Sequence, residues 1–423
     1  MSDTTPDAAA ELPVPLPDMA VVEEMQMGIV TRFADVKEQK AAGQKVVYCS
    51  VLAPKEILLA MDVATVYSDV LGAYAAIFGM SGEYCQVAEK DGLSRDVCAV
   101  HRCAIGVACA EERDPFFDMA FVEPDLTIGL NLPCISMSKS FLQIADKFKT
   151  PSYFLDIPVN TWGDDIPAHA VSYYADQMRG MVDFLQHHGY AFDLQRLKDE
   201  VAFTKKLNTL LAEVDRYKQA VPLPISAYDN VIATTAPIAL SKAARTMDIF
   251  ERYRDELKAR VERRHGIVPN ERLRLAWIGM PPLCDFKLLN YPERHGAVVA
   301  KSMLEILTGF TLDPDLMDPE RPFESLARAQ LVSPANPLYH SVIDYFVRAA
   351  KDYKVDGIIS VVKRSCGFMP GLQRLAKDAI YRATGVPSTV FDLDGVDERE
   401  YDAPKVKAQI DSFVETLLSR KGS

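Results

Sequence analysis

The sequence predicts an α/β protein: two parallel-sheet units facing each other across a cleft, with a mainly helical segment between them. Three observations predict it. Short apolar runs alternate with helical stretches over residues 45–165, charged amphipathic periodicity with almost no strand signal fills 166–265, and a second alternation occupies 266–423. A strand–helix–strand rhythm builds parallel sheets with helical crossovers, so each outer segment is expected to be a Rossmann-like unit. Residues 1–44 are expected to form an arm followed by one helix.

Taken in order, residues 1–18 carry Pro6, Pro13, Pro15 and Pro17 among small and acidic residues and read as a mobile arm. Residues 19–42 have helical character and end at Gly43, a residue suited to a helix C-terminus. The run 45–51 reads as the first core strand, and Pro54 opens the helix after it. A second strand over 64–68 and a second helix over 70–79 follow. The apolar run 126–130 is long enough for a buried strand, Pro133 ends it, and Ser136 or Ser138 is expected to cap a helix over 141–148. Residues 152–158 make another strand. Long amphipathic helices are expected over 169–220 and 241–265, with a break at Val221-Pro222-Leu223-Pro224. The second unit restarts with a strand at 273–279; 296–300 reads as a strand or as the start of a helix reaching Leu307. A helix over 340–353 leads into the strongest strand signal of the chain, 355–362, followed by a helix over 372–384, a strand over 387–393 and a closing helix over 404–418.

Length and composition bound the function. At 423 residues, 48% apolar and 25% charged, the chain reads as an ordinary soluble protein of two or three domains. A net charge of -12 speaks against a nucleic-acid partner, whose footprint is a basic patch. No apolar run approaches the ~20 residues that span a membrane, and the first residues lack the basic and apolar regions of a secretion signal. A cytoplasmic location, with no membrane partner, is the expectation.

Eight cysteines (49, 85, 98, 103, 109, 134, 284 and 366) are too sparse for a disulfide framework, and no pair has the Cys-x-x-Cys spacing. Three of them share a setting. Cys134 lies on the loop leaving a strand, where ligands sit in open parallel sheets; Cys366 holds the corresponding place in the second half; Cys98 opens a helix, where the dipole favours a thiolate. Cys98 and Cys103 diverge by roughly 140° around a helix, and Cys98 and Cys109 stand about 16 Å apart along it. One ligand from this segment is therefore expected, with Cys103 and Cys109 as small core residues. Structural zinc usually takes four ligands with a close pair, whereas an iron–sulfur cluster suits thiolates drawn from across a fold. Three thiolates on a four-iron cluster would leave one iron open, as in a catalytic centre.

Absences narrow the chemistry further. There is no Gly-x-Gly-x-x-Gly fingerprint, no phosphate loop, no His-Glu-x-x-His and no Gly-x-Ser-x-Gly element; if ATP powers the chemistry, another chain must hydrolyse it. His187 and His188 read as surface residues and His295 as a loop histidine, solvated or a proton donor. Ser50 and Asp69 fall just after strand ends at the same mouth as Cys134, as helix caps or as site residues.

Several segments, in order, resemble the 2-hydroxyacyl-CoA dehydratase and benzoyl-CoA reductase family. They are Tyr48-Cys49-Ser50 with Pro54-Lys55-Glu56-Ile57-Leu58, Asp91-Gly92-Leu93-Ser94-Arg95-Asp96-Val97-Cys98, Pro124-Asp125-Leu126 with Pro133-Cys134, Asp156-Ile157-Pro158, Cys366, and Phe391-Asp392-Leu393-Asp394 with the final helix. The resemblance implies a [4Fe-4S] cluster held by Cys98, Cys134 and Cys366, and a serine at the substrate carbonyl, matched here by Ser50. It implies a homologous second catalytic subunit and an ATP-hydrolysing iron–sulfur activator, with ferredoxin as indirect donor and an acyl-CoA as substrate. The phosphates of that CoA are to be met by basic residues near the mouth such as Lys139, Lys363 and Arg364, of which Lys363 and Arg364 read equally as solvated charges. Where dehydratases tend to carry glutamate after the second strand, this chain has Ser68-Asp69-Val70, which favours the reductase branch and its larger, B-type catalytic chain. The expected reaction is ring reduction of benzoyl-CoA. The alternatives are dehydration of a 2-hydroxyacyl-CoA, or a non-catalytic relay or scaffold role beside a partner that carries the substrate.

Overall fold

The computed structural model describes residues 17–239, 243–307, 313–334, 336, 339–367 and 369–422, so most of the proline-rich arm lies outside the described residues. The first unit runs α1 (Ala20–Ala41), β1 (Val46–Cys49), α2 (Lys55–Ala60), β2 (Ala64–Tyr67), α3 (Ser68–Ile77), α4 (Ser81–Lys90), α5 (Ala99–Cys109), α6 (Pro115–Ala120), β3 (Leu126–Leu130), α7 (Ile135–Phe148) and β4 (Ser152–Leu155). Between the sheets lie α8 (Ala168–His187), α9 (Leu194–Lys218), α10 (Ala227–Ala239) and α11 (Ala243–Glu262). The second unit runs β5 (Leu273–Ile278), β6 (Ala297–Ser302), α12 (Leu304–Leu307), α13 (Pro322–Val332), α14 (Tyr339–Asp352), β7 (Gly357–Val362), α15 (Met369–Thr384), β8 (Ser388–Asp392) and α16 (Ala403–Lys421).

Each unit holds a four-stranded sheet, β2-β1-β3-β4 in the first and β6-β5-β7-β8 in the second, with every neighbouring pair parallel. Numbered within its own unit, each sheet has the same order, 2-1-3-4. All residues of β1, β3, β5 and β6 are buried, as expected of strands covered by helices on both faces. The strand order reverses between β1 and β3 and again between β5 and β7. A crevice opens at the carboxyl ends of strands at such a reversal, and that is where α/β sheets take ligands. Cys134 follows β3 and Cys366 follows β7, so the two thiols leave topologically equivalent strands.

The units are tied together by buried charge. Arg102 of α5, 2% exposed at its side chain, donates to Glu89 at 2.6 Å and to Asp397, fully buried, at 3.0 Å. Arg399 bonds the same two carboxylates. Gly82 N donates to Glu398 and Glu398 N to Ser81 Oγ, which pins the segment after β8 onto α4. Two glycines let the helices approach closely. A Cβ on Gly106 would stand 1.9 Å from the Tyr84 carbonyl oxygen of α4, and one on Gly72 of α3 would stand 2.2 Å from the Val100 carbonyl oxygen of α5.

Several expectations change. The helix after β3 begins at Ile135 rather than at residue 141, because Cys134 itself takes the N-cap position while the Ser138 hydroxyl turns back to Leu130 O at 3.1 Å. Residues 297–302 are strand, and the helix beyond is the short α12. The stretch after the Val221–Pro224 break contains α10, and α13 packs its Phe323, Leu326 and Leu331 into the core of the first unit although it follows β6 in sequence. No helix among the described residues is long and apolar enough to cross a membrane.

Candidate functional site

The site is assembled from three chain segments. Cys134 stands in extended conformation at the start of α7, and its carbonyl accepts from Met137 N. Cys98 occupies the same position before α5, its carbonyl accepting from His101 N and Arg102 N. Both thiols therefore sit where the helix dipole presents positive charge. The third segment leaves β7 as Lys363-Arg364-Ser365-Cys366, a turn closed by Cys366 N donating to Lys363 O at 3.0 Å. Two bonds dock this turn on the Cys98 segment. Ala99 N donates to Ser365 Oγ at 3.2 Å, and Lys363 Nζ donates to Cys98 Sγ at 3.2 Å. Ser365 in turn donates to the buried Asp394.

All three thiols line one cavity of about 300 Å³ where the two units and α1 meet. Its wall is apolar and aromatic, with Phe33, Tyr74, Phe78 and Phe286 prominent. Charged and titrating groups are few: Arg32, Asp69, His101 and Lys363 join the thiols on the lining, beside Gln26, two threonines and the tyrosine hydroxyls. Burial pushes the Cys134 thiol up to about 11, and the neighbouring Cys98 and Cys366 add to the rise. His101, 3% exposed, has its Nδ1 buried without a hydrogen-bond partner; burial and the Lys363 charge drive it down to about 3, so it is neutral.

Asp69 faces the cavity from the first turn of α3, and Ser50 stands behind it. The serine hydroxyl donates to Asp69 Oδ2 at 2.7 Å, and Val51 N and Val70 N donate to the same carboxylate. Burial raises Asp69 to about 6 against those three bonds. Ser50 is fully buried and is not part of the cavity lining.

The other cysteines are elsewhere. Cys103 is buried against Cys85 at 3.5 Å. Cys109, read from sequence as a core residue, is only half-buried and bonds Asp91 at 3.6 Å. Cys284 and Cys49 are also off the lining. Lys363 is neither solvated nor turned outward; it is 3% exposed and committed to Cys98. Arg364 is exposed and pairs with Asp392 at 2.9 Å and Glu400 at 3.2 Å. His295 bonds Asp411 at 2.7 Å, far in sequence, rather than hanging free in its loop. Sequence reasoning missed His101; its place one helical turn beyond Cys98 is the signal that points to it.

Among the described residues no group of three or more His, Cys, Asp or Glu closes on a single metal-ion position. A four-iron cluster makes a different demand, because each thiolate binds its own iron and the sulfurs stand further apart than ligands of one ion. The donor set suits such a group: three soft thiols on one cavity, two of them at helix N-termini. The charge balance suits it too. Lys363 is buried with no carboxylate of the described residues in ion-pair distance; Asp394 acts on it from further off, and the Cys98 and Cys366 sulfurs supply further negative charge as thiolates.

Fold and site together define a doubly wound α/β chain with a thiol-edged apolar cavity between its two sheets. Residues 50–417 match the family described as 2-hydroxyglutaryl-CoA dehydratase, D-component, and the chain belongs to that family. Among its relatives is the alpha subunit of lactoyl-CoA dehydratase of Anaerotignum propionicum, 25% identical over 90% of this chain and 93% of that protein. A benzoyl-CoA reductase subunit of Thauera aromatica is 25% identical over 95% of each chain. The (R)-phenyllactyl-CoA dehydratase alpha subunit of Clostridium sporogenes is 23% identical over 91% of this chain and 92% of its own. Dehydratase and reductase subunits thus stand at the same distance from this sequence.

Proposed function

We propose that this chain is the iron–sulfur catalytic subunit of an ATP-dependent aromatic acyl-CoA reductase, reducing the ring of benzoyl-CoA to a cyclic dienoyl-CoA. The observation that carries the reading is one cavity that joins the three thiols to an aromatic wall and a carboxyl group near neutrality. Cys98, Cys134 and Cys366 would hold a [4Fe-4S] cluster, which supplies single low-potential electrons to the thioester when bound. The apolar wall receives the arene and keeps water from it. Asp69, on the lining and with a value of about 6, keeps a protonated fraction near neutral pH and in this reading delivers that proton to the cavity; the Ser50 bond holds its carboxyl. Relatives named as subunits support a partnered enzyme. The partners in this reading are a homologous second catalytic subunit, an ATP-hydrolysing iron–sulfur activator, and ferredoxin as indirect donor. A cavity of about 300 Å³ favours a substrate-bearing chain over a relay or scaffold.

Dehydration of a 2-hydroxyacyl-CoA is the second reading, favoured by the equal similarity to lactoyl-CoA dehydratase. The test is to supply the activated complex, under strict anaerobiosis, with benzoyl-CoA and a 2-hydroxyacyl-CoA side by side. A cyclic dienoyl-CoA is the expected product. Enoyl-CoA released from the hydroxy substrate alone would replace the first reading with the second.

A further inference from the structure

The cavity holds one buried cation whose role the chemistry above leaves unassigned. Lys363 is 3% exposed, its Nζ donates to Cys98 Sγ at 3.2 Å, and no carboxylate among the described residues stands within ion-pair distance of it. Its backbone carbonyl meanwhile accepts from Cys366 N, so one residue touches two of the three thiol-bearing segments, the first through its side chain and the third through its main chain. Lysine is an expensive choice for so dry a position: the Asp394 carboxylate acts on it from beyond ion-pair distance, and a buried ammonium held so is destabilising unless more negative charge is brought to it. Hydrogen bonds to ligand sulfur and a nearby positive charge both stabilise the electron-rich state of an iron–sulfur cluster, which raises its reduction potential.

We propose that Lys363 is a positioning residue that raises the reduction potential of the cluster bound by Cys98, Cys134 and Cys366, through its bond to the Cys98 sulfur and its buried charge. The inference rests on the cluster reading of the preceding subsection. Arg364, one position on, provides the contrast: it is exposed, paired with Asp392 and Glu400, and screened by solvent.

The test uses the full chain, reconstituted anaerobically with iron and sulfide, as wild type, Lys363→Met, Lys363→Arg and Arg364→Met. Iron content and the midpoint potential, followed by electron paramagnetic resonance, are the readouts. Lys363→Met is expected to hold iron with a more negative midpoint, Lys363→Arg to stay nearer the wild type, and Arg364→Met to match it. A Lys363→Met midpoint equal to wild type at equal iron content overturns the proposal while leaving the cluster reading intact. Absence of iron from the wild type sinks both. Thermal unfolding of the metal-free proteins separates a structural role: Lys363→Met is expected to melt close to wild type, since it gives up one bond to a sulfur and the attraction of Asp394 in exchange for relief from burying a charge. If it melts well below, the lysine serves the fold and the proposal fails. Iron lost from Lys363→Met but kept by Lys363→Arg, with unchanged melting, makes the lysine a cluster-retaining residue and overturns its role in setting the potential.

Discussion

Ser50 donates its hydroxyl proton to Asp69 across 2.7 Å, from a position with no exposure to the cavity that Asp69 lines. The bond turns two residues after neighbouring parallel strands into one unit, with the carboxyl in front and the hydroxyl behind. Burial lifts Asp69 from 3.8 to about 6, so the folded chain binds a proton more tightly than the unfolded chain does. Stability from this group is complete below about 4 and is lost as pH rises through about 6. By linkage the loss is about 3 kcal/mol, at ~1.4 kcal/mol per pH unit. Asp69→Asn should therefore show a flatter melting-temperature profile than wild type between those limits. Parallel profiles for the two proteins would mean that Asp69 does not titrate in this window.

The cysteines divide sharply by position, and iron binding should divide with them. Cys98→Ser, Cys134→Ser and Cys366→Ser each remove a thiol from the cavity and should each lose most of the iron and sulfide taken up anaerobically. Cys103→Ser, in the pair with Cys85, and Cys284→Ser should retain nearly all of it. Equal losses from Cys98→Ser and Cys103→Ser would refute the ligand assignment.

Close helix packing sets where the Cys98 segment lies. A methyl group on Gly106 has no room against the backbone of Tyr84, and one on Gly72 would enter the α5 backbone at Val100. Neither neighbour is a flexible side-chain tip. Gly106→Ala and Gly72→Ala should each cost about 1–3 kcal/mol, the usual range for overpacking, measured by denaturant unfolding. A neutral result would show that α5 shifts freely, and then iron uptake should fall instead.

Much of this arrangement was legible in the sequence, for a physical reason. Strands buried on both faces must be continuous apolar runs, so 126–130 and 355–362 announced themselves, and the thiols that follow β3 and β7 came with them. Helices whose surroundings are apolar all round were harder. The helix α10 carries Thr234, Thr235 and Pro237 within an apolar sequence, and tertiary burial rather than periodicity makes it a helix. Serine misled at 136 and 138, because a hydroxyl that caps a helix and one that bonds back to a strand carbonyl look alike in sequence. The commitment of Lys363 to Cys98 spans 265 positions, and no local pattern signals so distant a partner.

The wall of the cavity yields the last prediction. Phe33 belongs to α1, ahead of the 50–417 stretch that matches the family, yet it is buried and meets Tyr74 edge-on at 5.7 Å on the cavity lining. Tyr74 and Phe78 continue the surface with ring centroids 5.8 Å apart. A flat arene gains from such edges, whereas a short hydroxyacyl chain has little to lose there. Phe33→Leu keeps the position apolar and buried while removing the ring, so melting should change little. For benzoyl-CoA, kcat/KM should fall about tenfold, the lower end of what a changed apolar contact costs, and a 2-hydroxyacyl-CoA should be affected less. Steady-state rates of the activated complex on both substrates decide the matter. Unchanged rates on benzoyl-CoA would remove the acyl group from this cavity, and equal falls on both would remove the preference for the arene.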